Sequence, residues 1–513
     1  MSDTASLYLF FALGIFVTFI VRRRRPQQFP PGPTPYPFIG NFTVIPSRNP
    51  WVTYAKWSHD YQSDLISVWE FGKLTILVNT HKAAKELFVR RSAIYSDRPH
   101  MTMIDLMGWD WNTALMPYSE KWRIRRRMLN QNFRAKAALE YRPSQRAKAE
   151  DLVRQLSENP DDFLPAVRVF AAATAMSVAY GHDIVSQHDR FVDIADRAFS
   201  MLSGAVFPGV MAVNAFPFLR HLPSWLPGTG FKEYARKCKL LTTEMQNSPW
   251  AFVKRKMNDG TARASLASTL MKAGEANGSG AEHEEAAKAV SAVAYAAGSD
   301  TTVSVLSTAI LALLLHPSVV RRAQQEIDDV VGRDRLPDFR DRPVLPYVGA
   351  VAREVLRWQS IAPLGVPRTT LADDVYEGMF IPKGKTSPYL PKLRAMLHDP
   401  IKYPEPAAFK PERFLTPEGK LNDDDVSTVF GFGRRNCSGQ HFADSSVWIS
   451  IASILAIFTV VKAKDAAGDD MPVDVAYTDG MISHPRPFKC RLLPRDVKAE
   501  ALVRALTDAR GDS

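Results

Sequence analysis

Phe430-Gly431-Phe432-Gly433-Arg434-Arg435-Asn436-Cys437-Ser438-Gly439 is the stretch on which the fold turns: a glycine-rich loop that carries a single cysteine and leads into an apolar helix predicted from Gln440 to about Phe458. Gly431, Gly433 and Gly439 admit positive φ and close backbone approach, so the loop can wrap tightly around a sulfur. Backbone N–H groups aimed at that sulfur, together with the N-terminus of the following helix, are expected to hold Cys437 deprotonated and protected. Arg435, two residues earlier, is placed to reach an acidic group on a bound ligand.

The pattern Phe-x-x-Gly-x-Arg-x-Cys-x-Gly, filled by Phe430, Gly433, Arg435, Cys437 and Gly439, resembles the haem-binding signature of the cytochrome P450 superfamily. The resemblance implies heme b with the Cys437 thiolate as axial ligand of its iron. It also implies a mainly α fold with a small β lobe. Ser438 and Gln440 replace the family's commoner proline and basic residue, a difference expected to tune ligation without abolishing it.

The chain has 513 residues, 46% of them apolar, which is ample for a large core. Its three cysteines, Cys238, Cys437 and Cys490, show no C-x-x-C spacing, which argues against a disulfide framework or zinc site and favours a reducing compartment. A net charge of +11 suits an anionic membrane surface or an acidic protein partner. No nucleic-acid motif accompanies it, so no nucleic acid is expected as a partner.

Leu7 to Val21 is a mostly apolar run followed at once by Arg22, Arg23, Arg24 and Arg25. Extended back to Thr4 it reaches about 27 Å as a helix, close to the roughly 30 Å hydrocarbon core. A cleaved signal peptide carries its basic residues before the apolar run; here they come after it, which predicts one N-terminal transmembrane helix with everything beyond it in the cytosol. The resemblance makes the membrane that of the endoplasmic reticulum. The expected divisions are an anchor over 1–25, a stiff proline-rich hinge over 26–41, a catalytic domain over 42–498 and a polar tail over 499–513.

Leu65 to Thr80 reads as the first strands of the β lobe. Trp122 and Arg126 stand four apart on one face of a basic helix, and the family's Trp-x-x-x-Arg pair faces a haem propionate. Arg123 and Arg127 point elsewhere and form part of an expected docking surface for an acidic electron donor. Aromatic residues from Phe216 to Trp225 are expected to dip into the membrane interface. A helix from about Glu282 to His316 is too long and apolar for the surface, so it is predicted to be buried through the core. Within it, Asp300 and Thr301 resemble the family's acid-threonine pair, which passes protons to dioxygen, and Ala297 and Gly298 resemble the residues that leave room for it. Glu354 and Arg357 lie on one helical face and, with Arg413 from a later loop, resemble the family's structural Glu-x-x-Arg network. Arg368 is expected to face a propionate.

Lys385 to Arg394 departs from the family pattern, which puts a β-lobe strand in doubt, either as a real rearrangement or as a mistranslated splice junction. Segments expected near the pocket, Met101–Met116, Phe199–Phe207, Ala294–Ala297 and Ile361–Val366, are mostly apolar and imply a lipophilic substrate. The resemblance, strongest to fungal secondary-metabolism members, implies a monooxygenase that inserts one atom of dioxygen. Electrons are expected from NADPH through NADPH-cytochrome P450 reductase, with cytochrome b5 as an auxiliary donor, because no convincing dinucleotide or flavin motif is present. The alternatives are a reductase-independent isomerase or peroxygenase and a non-catalytic haem-binding membrane protein.

Overall fold

Strand alternation on either side of Gly72 produces β1 (Leu65–Glu70) and β2 (Lys73–Val78), an antiparallel hairpin that turns through Phe71 and Gly72 at φ 49° and 77°. The computed structural model describes residues 28–46, 48–184, 189–206, 212–278 and 280–511. The expected anchor over 1–25, the first hinge residues, Phe207 and the last two residues of the tail lie outside them. The described chain divides into two compact units.

The first unit takes the described residues as far as His100, with Leu364–Met396 and Phe432–Arg434. It contains helix α1 (Pro50–Asp60) and strands β3 (Arg368–Thr370), β4 (Asp374–Tyr376), β5 (Met379–Ile381) and β6 (Gly384–Pro391). One sheet has the order β1-β2-β6-β3, and β4 and β5 form a separate hairpin. Leu65, Leu74, Ile76, Val78, Phe88, Tyr95 and Phe432 share its core.

The irregular stretch therefore keeps its strand. β6 runs parallel to β2, with Ile76 opposite Tyr389 and Val78 opposite Pro391, and antiparallel to β3. The antiparallel pairing carries a register shift: Arg368 pairs with Tyr389 and Thr370 with Gly384, so two steps on β3 face five on β6. Such a bulge is how a sheet takes extra residues without losing its other pairs.

Nor is the proline-rich segment a free spacer once it is described. The Ser67 N–H donates to the Pro31 carbonyl at 2.8 Å, the Asn41 N–H donates to the Trp69 carbonyl at 2.5 Å, and Phe29 packs edge-on against Trp69 and Phe380. A Cβ on Gly32 would stand 2.0 Å from the Ser67 carbonyl oxygen. Prolines supply no N–H, so the segment lies along β1 as an edge strap, and residue 42 begins no new domain.

Lys392, just past β6, is fully buried; its Nζ finds no hydrogen-bond acceptor and sits 3.8 Å from the centroid of the Tyr54 ring. Burial pushes its pKa well below the usual lysine value. Between that lowered value and about 10.4 the unfolded chain binds the proton that the folded chain lacks, so stability rises with pH across this window. Lys392→Met is expected to raise stability by about 1–3 kcal/mol at neutral pH and to flatten that rise, measured by thermal unfolding at several pH values. An unchanged midpoint would show that the ammonium is already compensated.

The second unit holds Met101–Pro363, Leu397–Gly431 and the chain from Arg435 onward. Among its helices are α2 (Glu120–Phe133), α3 (Arg142–Glu158), α4 (Leu164–Tyr180), α5 (Arg190–Val206), α6 (Gly230–Asn258), α7 (Ala281–Leu315), α8 (Pro346–Trp358), α9 (Gln440–Ile457) and α10 (Val497–Gly511). A two-stranded sheet pairs β7 (Phe458–Lys462) with β8 (Cys490–Pro494). α7 is, among the described residues, the one helix long and apolar enough to cross a membrane, but most of that apolar span is buried inside the protein. It is apolar over most of its surface because most of that surface is enclosed.

The expected polar tail is instead α10. The Asp496 carboxylate caps its start by accepting from the Ala499 N–H at 3.0 Å, and Ala499 and Val503, four apart, enter the core that α8 and α9 build. Average polarity concealed a stripe of helical period.

Candidate active site

The cysteine loop leaves a short 3-10 turn at Ser427–Phe430, passes Gly431 at φ 80° and closes when the Cys437 N–H donates to the Phe430 carbonyl at 2.8 Å. Gly439 does not take positive φ as expected; its φ is −87°. Its contribution is a backbone N–H that donates to the Cys437 sulfur. Cys437 is accessible, yet enough protein surrounds it that burial pushes its thiol pKa up, opposed by the Gly439 N–H and by the charge of Arg126. The sulfur therefore lies in a recess with two influences that favour the thiolate.

Arg126, on α2, reaches the loop itself: Nη1 donates to the Asn436 carbonyl at 2.7 Å and Nη2 to its side-chain oxygen at 2.5 Å. Trp122, one turn earlier, donates from Nε1 to the Thr113 carbonyl at 3.1 Å. The buried Arg435 guanidinium stacks 4.2 Å from the Trp122 ring and donates to the Thr113 and Met116 carbonyls at 3.3 and 2.9 Å. The expected pairing of Trp122 and Arg126 on one face is thus seen as one surface turned toward the cysteine loop.

Midway along α7 the burial breaks. Ala297 is exposed, and Ala294, Gly298 and Thr301 are partly so, whereas Tyr295, Ala296 and Ser299 between them are buried. Spacings of three and four put the accessible residues on one face, a strip of small side chains inside a core helix. The Thr301 and Thr302 hydroxyls donate back to the Ala297 and Gly298 carbonyls at 2.6 and 2.7 Å. Gly298 also answers a packing demand: a Cβ there would lie 3.2 Å from the Ala175 Cβ of α4. Asp300 turns elsewhere, its carboxylate 3.1 Å from His484 Nε2. Asp300 and Thr301 are therefore not joined to each other.

Glu354, Arg357 and Arg413 do come together. Arg357 grips both Glu354 oxygens, Nε at 2.6 Å and Nη2 at 2.8 Å, and donates from Nη1 to the Leu397 and Pro406 carbonyls at 2.9 Å each. Arg413 Nε lies 3.2 Å from Glu354 Oε1, which also accepts the Lys410 N–H at 2.7 Å.

In the first unit, Arg368 donates from Nη2 to the Phe432 carbonyl at 2.7 Å and stands 4.6 Å over the Phe88 ring. Gly433 is pressed against the Phe88 carbonyl, where a Cβ would be 1.9 Å away. Arg98, which the sequence reading passed over, is buried beside Arg368 and donates to the Val366 and Pro367 carbonyls at 2.9 and 2.5 Å. Burial and the neighbouring Arg368 charge push its pKa down to about 9. Two buried guanidiniums repelling each other form a donor set for anionic groups. The only hint in sequence was a lone Arg between Asp97 and Pro99.

Within the second unit these residues fit a haem: a recessed thiol beside an N–H and a guanidinium, an accessible strip of small residues within a core helix, and the buried Arg435, whose guanidinium suits a carboxylate. Comparison with known proteins agrees. Residues 30–490 match the family model described as Cytochrome P450. The chain is 37% identical to Cytochrome P450 monooxygenase 98 of Postia placenta over 502 residues, covering 97% of this chain and 96% of that one. It is likewise 37% identical over 503 residues to Cytochrome P450 monooxygenase ple1 of Rhodocybe pseudopiperita, covering 97% and 96%. With the Tryptamine 4-monooxygenase of Psilocybe cyanescens it shares 37% identity over 481 residues, covering 92% and 94%. A glycine-wrapped cysteine, a breached core helix and full-length similarity together place this chain in the cytochrome P450 family of haem-thiolate monooxygenases.

Proposed function

We propose that this monooxygenase acts on a lipophilic small molecule at the endoplasmic reticulum membrane, anchored by residues 1–25, with electrons from NADPH delivered through a flavoprotein reductase. The overall reaction is RH + O2 + NADPH + H⁺ → ROH + H2O + NADP⁺. The observation that carries the reading is the Cys437 sulfur, recessed, accessible and faced by the Gly439 N–H and Arg126. Bound haem supplies the dioxygen activation, to which a thiolate ligand contributes electron density.

The chain's own residues do the rest. Cys437 is the ligand, and Arg126 and the Gly439 N–H favour its thiolate against the burial that pushes the thiol pKa up. Arg435 and Trp122 offer donors to the carboxylates of the group, a role that the family resemblance also implies for Arg368. Ala297 and Gly298 keep space on α7, and Thr301 presents a hydroxyl there, with Asp300 as the neighbouring acid. The exposed Arg123 and Arg127 on α2 suit the acidic face of a reductase. The exposed Phe218 and Trp225 suit a bilayer interface. The substrate named for the Psilocybe relative is a small aromatic amine, which supports small aromatic molecules as the first to screen.

The test is the carbon-monoxide difference spectrum of reduced protein in carbonate-washed microsomes, for wild type and Cys437→Ala. Wild type is expected to remain with the membrane and give a thiolate-type Soret band that is absent from the variant. Release by the wash would overturn the anchor. A neutral-ligand band in wild type, or a thiolate band that survives Cys437→Ala, would overturn the assignment of the ligand.

A further inference from the structure

Asp300, Ser304 and Thr308 recur every four residues along α7 and so form one polar stripe. All three meet the same hairpin, closed by the bridge between Tyr477 and Pro485. His484 Nε2 lies 3.1 Å from Asp300 Oδ1, Ser304 donates to the Ser483 carbonyl at 2.6 Å, and the Tyr477 hydroxyl donates to Thr308 Oγ1 at 3.3 Å. The turn is rigid in itself: the Thr478 N–H donates to the His484 carbonyl at 2.8 Å, the His484 N–H donates to Thr478 Oγ1 at 3.0 Å, and the Ser483 hydroxyl donates to the Thr478 carbonyl at 2.9 Å. The Ser483 N–H is tied to the Ile361 carbonyl at 2.7 Å. His484 is thus presented to Asp300 by a backbone with little freedom to move.

The other charges near Asp300 act in the same sense. Asp196 of α5 is close enough for the Asp300 charge to help raise its pKa, after burial, which is the larger cause. Arg168 of α4 offsets the effect at Asp196, and Asp193 adds to it. An acid on the α5 side and a donor on the hairpin side draw the Asp300 carboxylate toward the hairpin.

We propose that His484 is the positioning residue of Asp300, and that the seating of the 477–485 hairpin on α7 fixes the orientation from which Asp300 serves Thr301. The inference rests on the reading of Asp300 and Thr301 as the proton-handling pair. With Asp300 misplaced, reducing equivalents go to O2 + NADPH + H⁺ → H2O2 + NADP⁺ instead of to product.

The experiment compares His484→Phe, His484→Gln and Asp300→Asn in reductase-reconstituted holoenzyme and also reads amide exchange across the hairpin. His484→Phe is expected to raise peroxide released per NADPH about 3-fold or more and to change the solvent isotope effect on product formation, with the carbon-monoxide band retained. His484→Gln, which keeps an N–H at the Nε2 position, should stay near wild type. Exchange at Thr478 and His484 should quicken by about tenfold in Asp300→Asn, as loss of a charge-assisted hydrogen bond implies. Unchanged peroxide and isotope effect in His484→Phe would overturn the proposal, as would unchanged hairpin exchange in Asp300→Asn. Equal damage from Phe and Gln would also overturn it, by showing a purely structural role. The underlying pair fails separately: its sign is an Asp300→Asn enzyme that remains fully coupled.

Discussion

Glu354→Gln is expected to cost about 3–5 kcal/mol and to abolish accumulation of haem-loaded protein, because it leaves the Arg357 guanidinium charged and uncompensated in the core. Both side chains are fully buried. The damage extends beyond the pair. Arg357 spans the carbonyls of Leu397, Pro406 and Ala408, and Glu354 accepts from Lys410 and Arg413, so this one carboxylate holds α8 to the segment from Leu397 to Arg413. Holoprotein yield, the carbon-monoxide band and the thermal midpoint would all report the loss. A variant that loads haem and unfolds within about 1 kcal/mol of wild type would show that the network is not structural. Arg357→Lys should fare little better, since an ammonium cannot reproduce the two-pronged grip.

Gly433→Ala is the second large effect. Gly433 has φ 56°, and an added Cβ would meet the Phe88 carbonyl oxygen at 1.9 Å and its carbon at 3.0 Å. Phe88 cannot retreat, because it is fully buried within the π-helical turn Glu86–Arg90. Strain of about 1–3 kcal/mol from the backbone alone, with the clash added, is expected to displace the loop before Cys437 and to replace the thiolate band with a neutral-ligand band. Gly439→Ala is the informative partner. With φ −87° and a built Cβ 4.0 Å from the Cys437 sulfur, it meets neither objection and should retain the fold. Equal loss in both variants would mean that the glycines are needed for something other than backbone shape.

Where local chemistry and spacing decide structure, the sequence was a sufficient guide. Gly431 and Gly433 before Cys437, the turn at Gly72, the apolar length of α7 and the Glu354–Arg357 spacing each specify their own geometry within a few residues. Failures came where the partner lies far along the chain. Nothing near Asp300 announces His484, and nothing near Arg98 announces Arg368. The proline-rich segment could not show that β1 would accept it as an edge, since its bonds are made by backbone groups that every sequence has. α10 was missed for a different reason: Ala499 and Val503 are too small to mark a stripe among charged neighbours.

The register shift between β3 and β6 bears on how this gene can change. Because the surplus residues are taken up between the Arg368–Tyr389 and Thr370–Gly384 pairs, the pairing of Leu390 and Pro391 with β2 is kept. Codons gained or lost in that interval shift neither Arg368 nor the sheet beyond it. The interval is thus a place where the chain can take up a residue more or less while the pairs on either side of it are kept.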